Sequence, residues 1–196
     1  MKLLSTVGAS ATLAFSIASS LFGAQQPATA LPGQTFQQVQ QTVRSSRLFQ
    51  GMSLTEESRG YYTVSSPFDG GDAVLYVIGE GNTVSTETLQ FRYPDSRISF
   101  ERESGSSTSL IADIWGDGIA QDYVDSRYTD EIQEDIGQNH YYLGERYGYR
   151  RSIYNDTRTG TRIYSFTVMD IVDWEEFRRA DRVCSANPNA FQCSGL

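Results

Sequence analysis

Hydrophobic positions recur at two periods along this chain, and the switches between them divide it into elements. After Thr35 the apolar residues Phe36, Val39 and Val43 fall three to four apart, the spacing of one helix face. Thr35 with Gln38 reads as a capping box that starts this helix; Leu48 lies near its end and Gly51 stops it. A polar link at 53–60 ends the helical period. Strand-like stretches follow at 61–65, 73–79, 84–93 and 97–103, rich in Tyr, Val, Ile, Thr and Phe. Phe68-Asp69-Gly70-Gly71, Glu80-Gly81-Asn82 and Tyr93-Pro94-Asp95-Ser96 supply turns between them. Ile98 and Phe100 alternate with Ser99 and Glu101, the pattern of an antiparallel sheet with one wet face.

A Gly/Ser loop is expected at 103–108. Beyond it Leu110, Ile111, Ile114, Trp115, Ile119 and Tyr123 keep helical spacing across Gly116 and Gly118. Each glycine costs about 1 kcal/mol inside a helix. The segment is therefore either a helix broken at 115–118 or a hairpin around Gly116-Asp117-Gly118, and the spacing on both sides favours the helix. Strands are expected next at 128–132, 140–143, 147–154 and 162–169. Asp173 then caps a closing helix, with Glu176 in the reciprocal position, Trp174 and Phe177 facing inward, and Arg178, Arg179 and Arg182 in its C-terminal half.

The expected fold class is α+β, with antiparallel sheet or sheets packed by helices. It reads as two helix-plus-four-strand units, 31–105 and 106–196, with a C-terminal helix and no clear residue-level repeat. In outline this resembles the tandem helix-on-sheet arrangement of the secreted β-lactamase inhibitor proteins, a likeness of fold that implies no function.

The first thirty residues change the setting. Lys2 precedes an uncharged stretch at 7–22, and Gln25, Gln26 and Pro27 break it before Ala28-Thr29-Ala30, a small-x-small cleavage site. Residues 1–30 are thus expected to be a signal peptide cleaved after Ala30. The stretch is too diluted by Ser, Thr and Gly to read as a spanning helix, and no cysteine follows the site to carry a lipid. That leaves 31–196 as one exported domain, periplasmic or secreted, with no stable membrane insertion. The mature start Leu31-Pro32-Gly33-Gln34-Thr35-Phe36 after such a site resembles uncharacterised exported proteins of cyanobacteria, which implies a bacterial extracytoplasmic setting and no activity. Cys184 and Cys193 are the only cysteines, and in an oxidising compartment their spacing points to a disulfide.

Charge excludes one class of partner. The chain holds 24 acidic against 16 basic residues, net −8, and its single lysine is Lys2. Such a balance is ill-suited to nucleic acid, whose binding is dominated by cationic contacts with phosphate.

The chemistry-bearing residues form two candidate groups. Asp113, Asp117, Asp122 and Asp125 invite a calcium-loop reading. A loop starting at Asp113 puts Asp117 and Gly118 correctly but places Trp115 and Val124 where ligands are needed, so these are weak metal candidates on a solvated helix face. The second group runs from His140 to Arg151. Tyr141, Tyr142, Tyr147, Tyr149, Arg150 and Arg151 could form a stacking and hydrogen-bonding surface for an extracytoplasmic protein, peptide or glycan. His140 is the only histidine, and there is no Gly-x-Ser-x-Gly elbow, zinc ligand set or phosphate-binding glycine loop. The expected function is therefore non-enzymatic partner binding without a cofactor. The alternatives are a small cell-wall glycan hydrolase using paired carboxylates and a calcium-stabilised structural protein.

Overall fold

The first capping box forms as the sequence predicts. Thr35 Oγ1 accepts from the Gln38 amide at 3.3 Å, and Gln38 Oε1 accepts from the Thr35 amide at 2.9 Å. Helix α1 (Phe36–Ser45) then buries Phe36, Val39 and Val43. It ends before Leu48; Gly51 follows a turn later with φ 74° and donates to the Arg44 carbonyl at 3.0 Å. This computed structural model describes residues 31–94, 104–127, 133–136 and 138–187. The expected signal peptide (1–30), the expected strand at 97–103 and Cys193 lie outside the described residues.

After α1 come β1 (Thr55–Ser58), β2 (Tyr61–Phe68), β3 (Gly71–Glu80) and β4 (Thr83–Tyr93). Helices α2 (Ser104–Trp115) and α3 (Asp117–Ser126) lead into β5 (Gln133–Ile136), β6 (Asn139–Leu143), β7 (Gly148–Asp156), β8 (Thr161–Met169) and α4 (Ile171–Ala186). The strands form one eight-stranded antiparallel sheet in the order β1-β2-β3-β4-β8-β7-β6-β5. The order is symmetric about its centre, where the last strand of each run pairs, from Thr86 opposite Met169 to Tyr93 opposite Arg162. The fold is α+β, and helix followed by four strands occurs twice.

Several boundaries differ from expectation, each for a physical reason. Strand β1 lies inside the expected polar link, because Thr55–Ser58 is an edge strand exposed at every position and carries no hydrophobic alternation. The other edge strand is β5 (Gln133–Ile136), and the strand expected at 128–132 lies outside the described residues. Both edges are four residues long and acidic, which discourages pairing with another chain. Helix α2 starts at Ser104, within the expected loop. The broken-helix reading holds: Gly116, at φ 83°, separates α2 from α3. The cap of α4 is Asp170, whose side chain accepts from the Asp173 amide at 2.8 Å, so Asp173 sits in the first turn.

Strand alternation sorts the side chains into two layers. Val64, Leu75, Val77, Leu89, Phe166, Val168 and Tyr149 pack with α1, α2 and α3 through Val39, Val43, Ile111, Ile114, Trp115 and Tyr123. On the opposite face a smaller cluster joins Ile136, Tyr141 and Met169 to Trp174 of α4. Gly148 makes room for that helix: a Cβ there would come within 2.2 Å of the Trp174 side chain. Asp181 then accepts from Asn139 Nδ2 at 2.5 Å and from the Tyr141 hydroxyl, and Glu134 takes Arg182 Nε at 2.5 Å and Arg178 at 3.3 Å. These contacts lay α4 over the β5–β8 half of the sheet, with its first turn reaching Thr86 of β4. Cys184 is half-buried in its last turns. Among the described residues no helix is long and apolar enough to cross a membrane.

The two anchors of α4 should differ in weight. Asp170→Ala removes an N-cap and should lower stability by about 1 kcal/mol, whereas Gly148→Ala drives a methyl into Trp174 and should cost more. Urea denaturation of the two variants checks the ranking.

Candidate functional site

The 140–151 cluster does not form a tyrosine surface. Successive residues on a strand point to opposite faces, and both faces of this half of the sheet are covered. Tyr142 and Tyr149 enter the α3 layer, Tyr141 faces α4, and all three are buried. The Tyr149 hydroxyl donates to Asp122 Oδ2 at 2.5 Å, and that of Tyr141 to Asp181. Burial, then these carboxylate partners, push both phenols above their ordinary pKa. Arg150 is half-buried under α4, 5.0 Å from the Phe177 ring and 3.7 Å from Asp181. Arg151 faces the helix layer, and Tyr147 stands half-buried in the β6–β7 turn. Adjacent Tyr141 and Tyr142 were the available signal, since aromatics on both faces mark a strand buried on both sides.

The aspartates disperse as well. Asp113 accepts from the Arg47 and Leu48 amides at 2.8 and 3.2 Å and from Arg47 Nε at 3.0 Å, tying the loop after α1 to α2. Asp122 takes the Glu145 amide at 3.0 Å besides Tyr149, and Asp117 is exposed at the start of α3. Among the described residues no group of three or more His, Cys, Asp or Glu could hold a metal. A cleft of about 510 Å³ does lie beside α3, lined by Trp115, Asp117, Asp122, Glu145, Arg146 and Tyr147. Both Asp122 oxygens are engaged within the fold, and Asp117 and Glu145 stand in solvent.

A fully buried acid lies elsewhere. Glu87 of β4 shares a face with Leu89 and Phe91 and is fully buried, with Val77 and Val168 beside it on the neighbouring strands. Its Oε2 accepts from the Trp115 indole at 2.9 Å, and Oε1 has no hydrogen-bond partner. Burial lifts its pKa to about 8, against the smaller downward pull of the indole. Glu87 is therefore a neutral acid at neutral pH, and it holds the residue just before the Gly116 break. Sequence reasoning passed over it, although its parity with Leu89 and Phe91 placed it inward.

A further surface is assembled only by strand register. On the face opposite α1–α3, the half of the sheet that α4 leaves uncovered carries Tyr61, Tyr76, Gln90 and Arg92. Tyr61 and Tyr76 stack with centroids 6.0 Å apart. The Arg92 guanidinium lies 5.5 Å from the Tyr76 ring centre, donates to its hydroxyl, and bonds Gln90 Oε1 at 3.3 Å. Ile78 of the same face is 39 % exposed. Its cross-strand neighbour Thr86 donates to Asp173 at 2.7 Å, which brings the first turn of α4 alongside, where Ile171 is 44 % and Val172 68 % exposed.

No protein-family model, curated protein or solved structure matches this chain. Function must therefore be argued from these side chains.

Glu87 makes a prediction about pH. Its folded form keeps the proton up to about pH 8, whereas an unfolded glutamate releases it near 4.5. Between those values the unfolded state binds fewer protons, so this group lowers stability by about 1.4 kcal/mol per pH unit, levelling off above pH 8. Glu87→Gln keeps an acceptor for Trp115 and removes the ionisation. Measured by urea unfolding, the variant should gain on the wild type steadily from pH 5 to pH 8; a constant difference would contradict a protonated Glu87.

Proposed function

We propose that this chain is a non-enzymatic binding protein that presents the open half of its sheet to a partner protein outside the cytoplasm. The observation that carries the reading is the joint placement of Tyr61, Tyr76 and Arg92 beside Ile78, Ile171 and Val172. Tyr and Arg dominate interface energetics, and grouped exposed apolar side chains mark contact sites. A broad sheet face with an apolar corner suits a protein surface better than a small molecule, which binds in concavities. The export-signal features of 1–30 supply the compartment, and there a Cys184–Cys193 bridge would tie down the C-terminal tail. The proposed binding residues thus move from the 140–151 strands to β2, β3 and β4.

A photo-crosslinker placed at Ile78 in the exported protein should capture the partner. Against that partner in purified form, Arg92→Ala and Tyr76→Ala should each weaken affinity by about thirtyfold, the loss of a 2 kcal/mol hot spot. Arg146→Ala, in the cleft beside α3, should leave it unchanged. Unaltered affinity on changing Tyr76 and Arg92 would defeat the assignment.

A further inference from the structure

Arg92 of the open half-sheet is half-buried, yet no carboxylate among the described residues pairs with it. Two other half-buried arginines, on the α4 side of the sheet, behave differently: Arg150 meets Asp181 at 3.7 Å and Arg178 meets Glu134 at 3.3 Å. Register even puts Asp72 of β3 directly opposite Arg92. A cross-strand ion pair would be favourable there, but the Arg92 side chain runs along the sheet, away from Asp72. Its Nε and Nη2 donate to Gln90 Oε1 at 3.3 and 3.1 Å, and Nη2 also donates to the Tyr76 hydroxyl. Nη1 has no partner among the described residues. Burial and then the Glu57 carboxylate raise the Tyr61 pKa while Arg92 opposes them, so the positive field extends over the stacked tyrosines. Glu57 itself is turned to Thr63, whose hydroxyl it accepts at 2.9 Å.

Gln90 and the Tyr76 hydroxyl and ring thus hold the guanidinium in place without neutralising it. A guanidinium fixed in advance, with a donor still to use, suits a carboxylate, because charge-assisted bonds are the stronger kind and less side-chain freedom is lost on binding. Ile78 lies two residues beyond Tyr76 on the same face, about 7 Å along the strand. It begins the apolar corner completed by Ile171 and Val172. We propose that the partner protein meets this face through an extended segment that sets an Asp or Glu carboxylate on Arg92 and a large apolar side chain, one strand repeat away, on Ile78. This rests on the reading of the open half-sheet as the partner surface, and it adds the chemistry of what docks there.

Random peptides displayed on phage and selected on the purified protein supply the probes, and a photo-crosslinker at Ile78 identifies those that bind this face. Their sequences should converge on an acid with a large apolar residue two positions away. In a synthetic peptide, replacing that acid by its amide should weaken binding to the wild type about tenfold, the worth of one charge-assisted contact. Acid and amide peptides should bind Arg92→Gln alike. Arg92→Lys keeps the charge but loses the planar fork, and should restore part of the difference. Cross-linked peptides that share no acid, or an acid preference that survives Arg92→Gln, would overturn the carboxylate assignment and leave the partner surface standing. A selection that yields no peptide cross-linked at Ile78 would overturn the surface itself, and this assignment with it.

Discussion

The arrangement of the helix layer turns on a single hydrogen bond, from the Trp115 indole to the buried carboxyl of Glu87. Burying an acid in an apolar layer is costly unless it is neutral and bonded. Here it is neutral, by the rise of its pKa to about 8, and only half bonded, since one oxygen has no partner. What the carboxyl supplies in return is position. Trp115 is the last residue of α2, and the chain turns next through Gly116 at a positive φ that other residues rarely adopt. Fastening the indole to the central strand β4 fixes where α2 stops, and hence where α3 can lay Tyr123 against Phe166 and Tyr149.

The same sheet is used differently on its two faces. One face is packed by α1, α2 and α3, whereas on the other α4 covers the β5–β8 half of the sheet. This asymmetry breaks the near-symmetry of the strand order, and it decides what each half can do. The half under α4 turns its tyrosines into structural groups whose hydroxyls answer Asp122 and Asp181. The half without it keeps Tyr61, Tyr76 and Arg92 at the surface, in contact with one another.

Much of the architecture was legible in the chain. Capping chemistry at Thr35 and the helical spacing through Trp115 located α1 and the α2–α3 pair, and alternation located the long central strands. The edges were not legible, because Thr55–Ser58 is exposed at every position and so shows no period. The site was harder for a different reason. Density along the sequence pointed to 140–151, but local density does not report which faces a later helix will cover. Tyr61, Tyr76 and Arg92 are far apart in sequence and meet only through strand register. Glu87 was readable in principle from its parity with Leu89 and Phe91, which places it on the inward face.

The most direct test of this account is the carboxyl carbon signal of Glu87, followed by NMR as a function of pH in the folded protein. Ionisation of that carbon with a midpoint near pH 8, lost in Glu87→Gln, is the result the buried Trp115–Glu87 bond requires. A midpoint near the ordinary 4.5 of a glutamate would place the side chain in water and remove the anchor on which the helix layer is built.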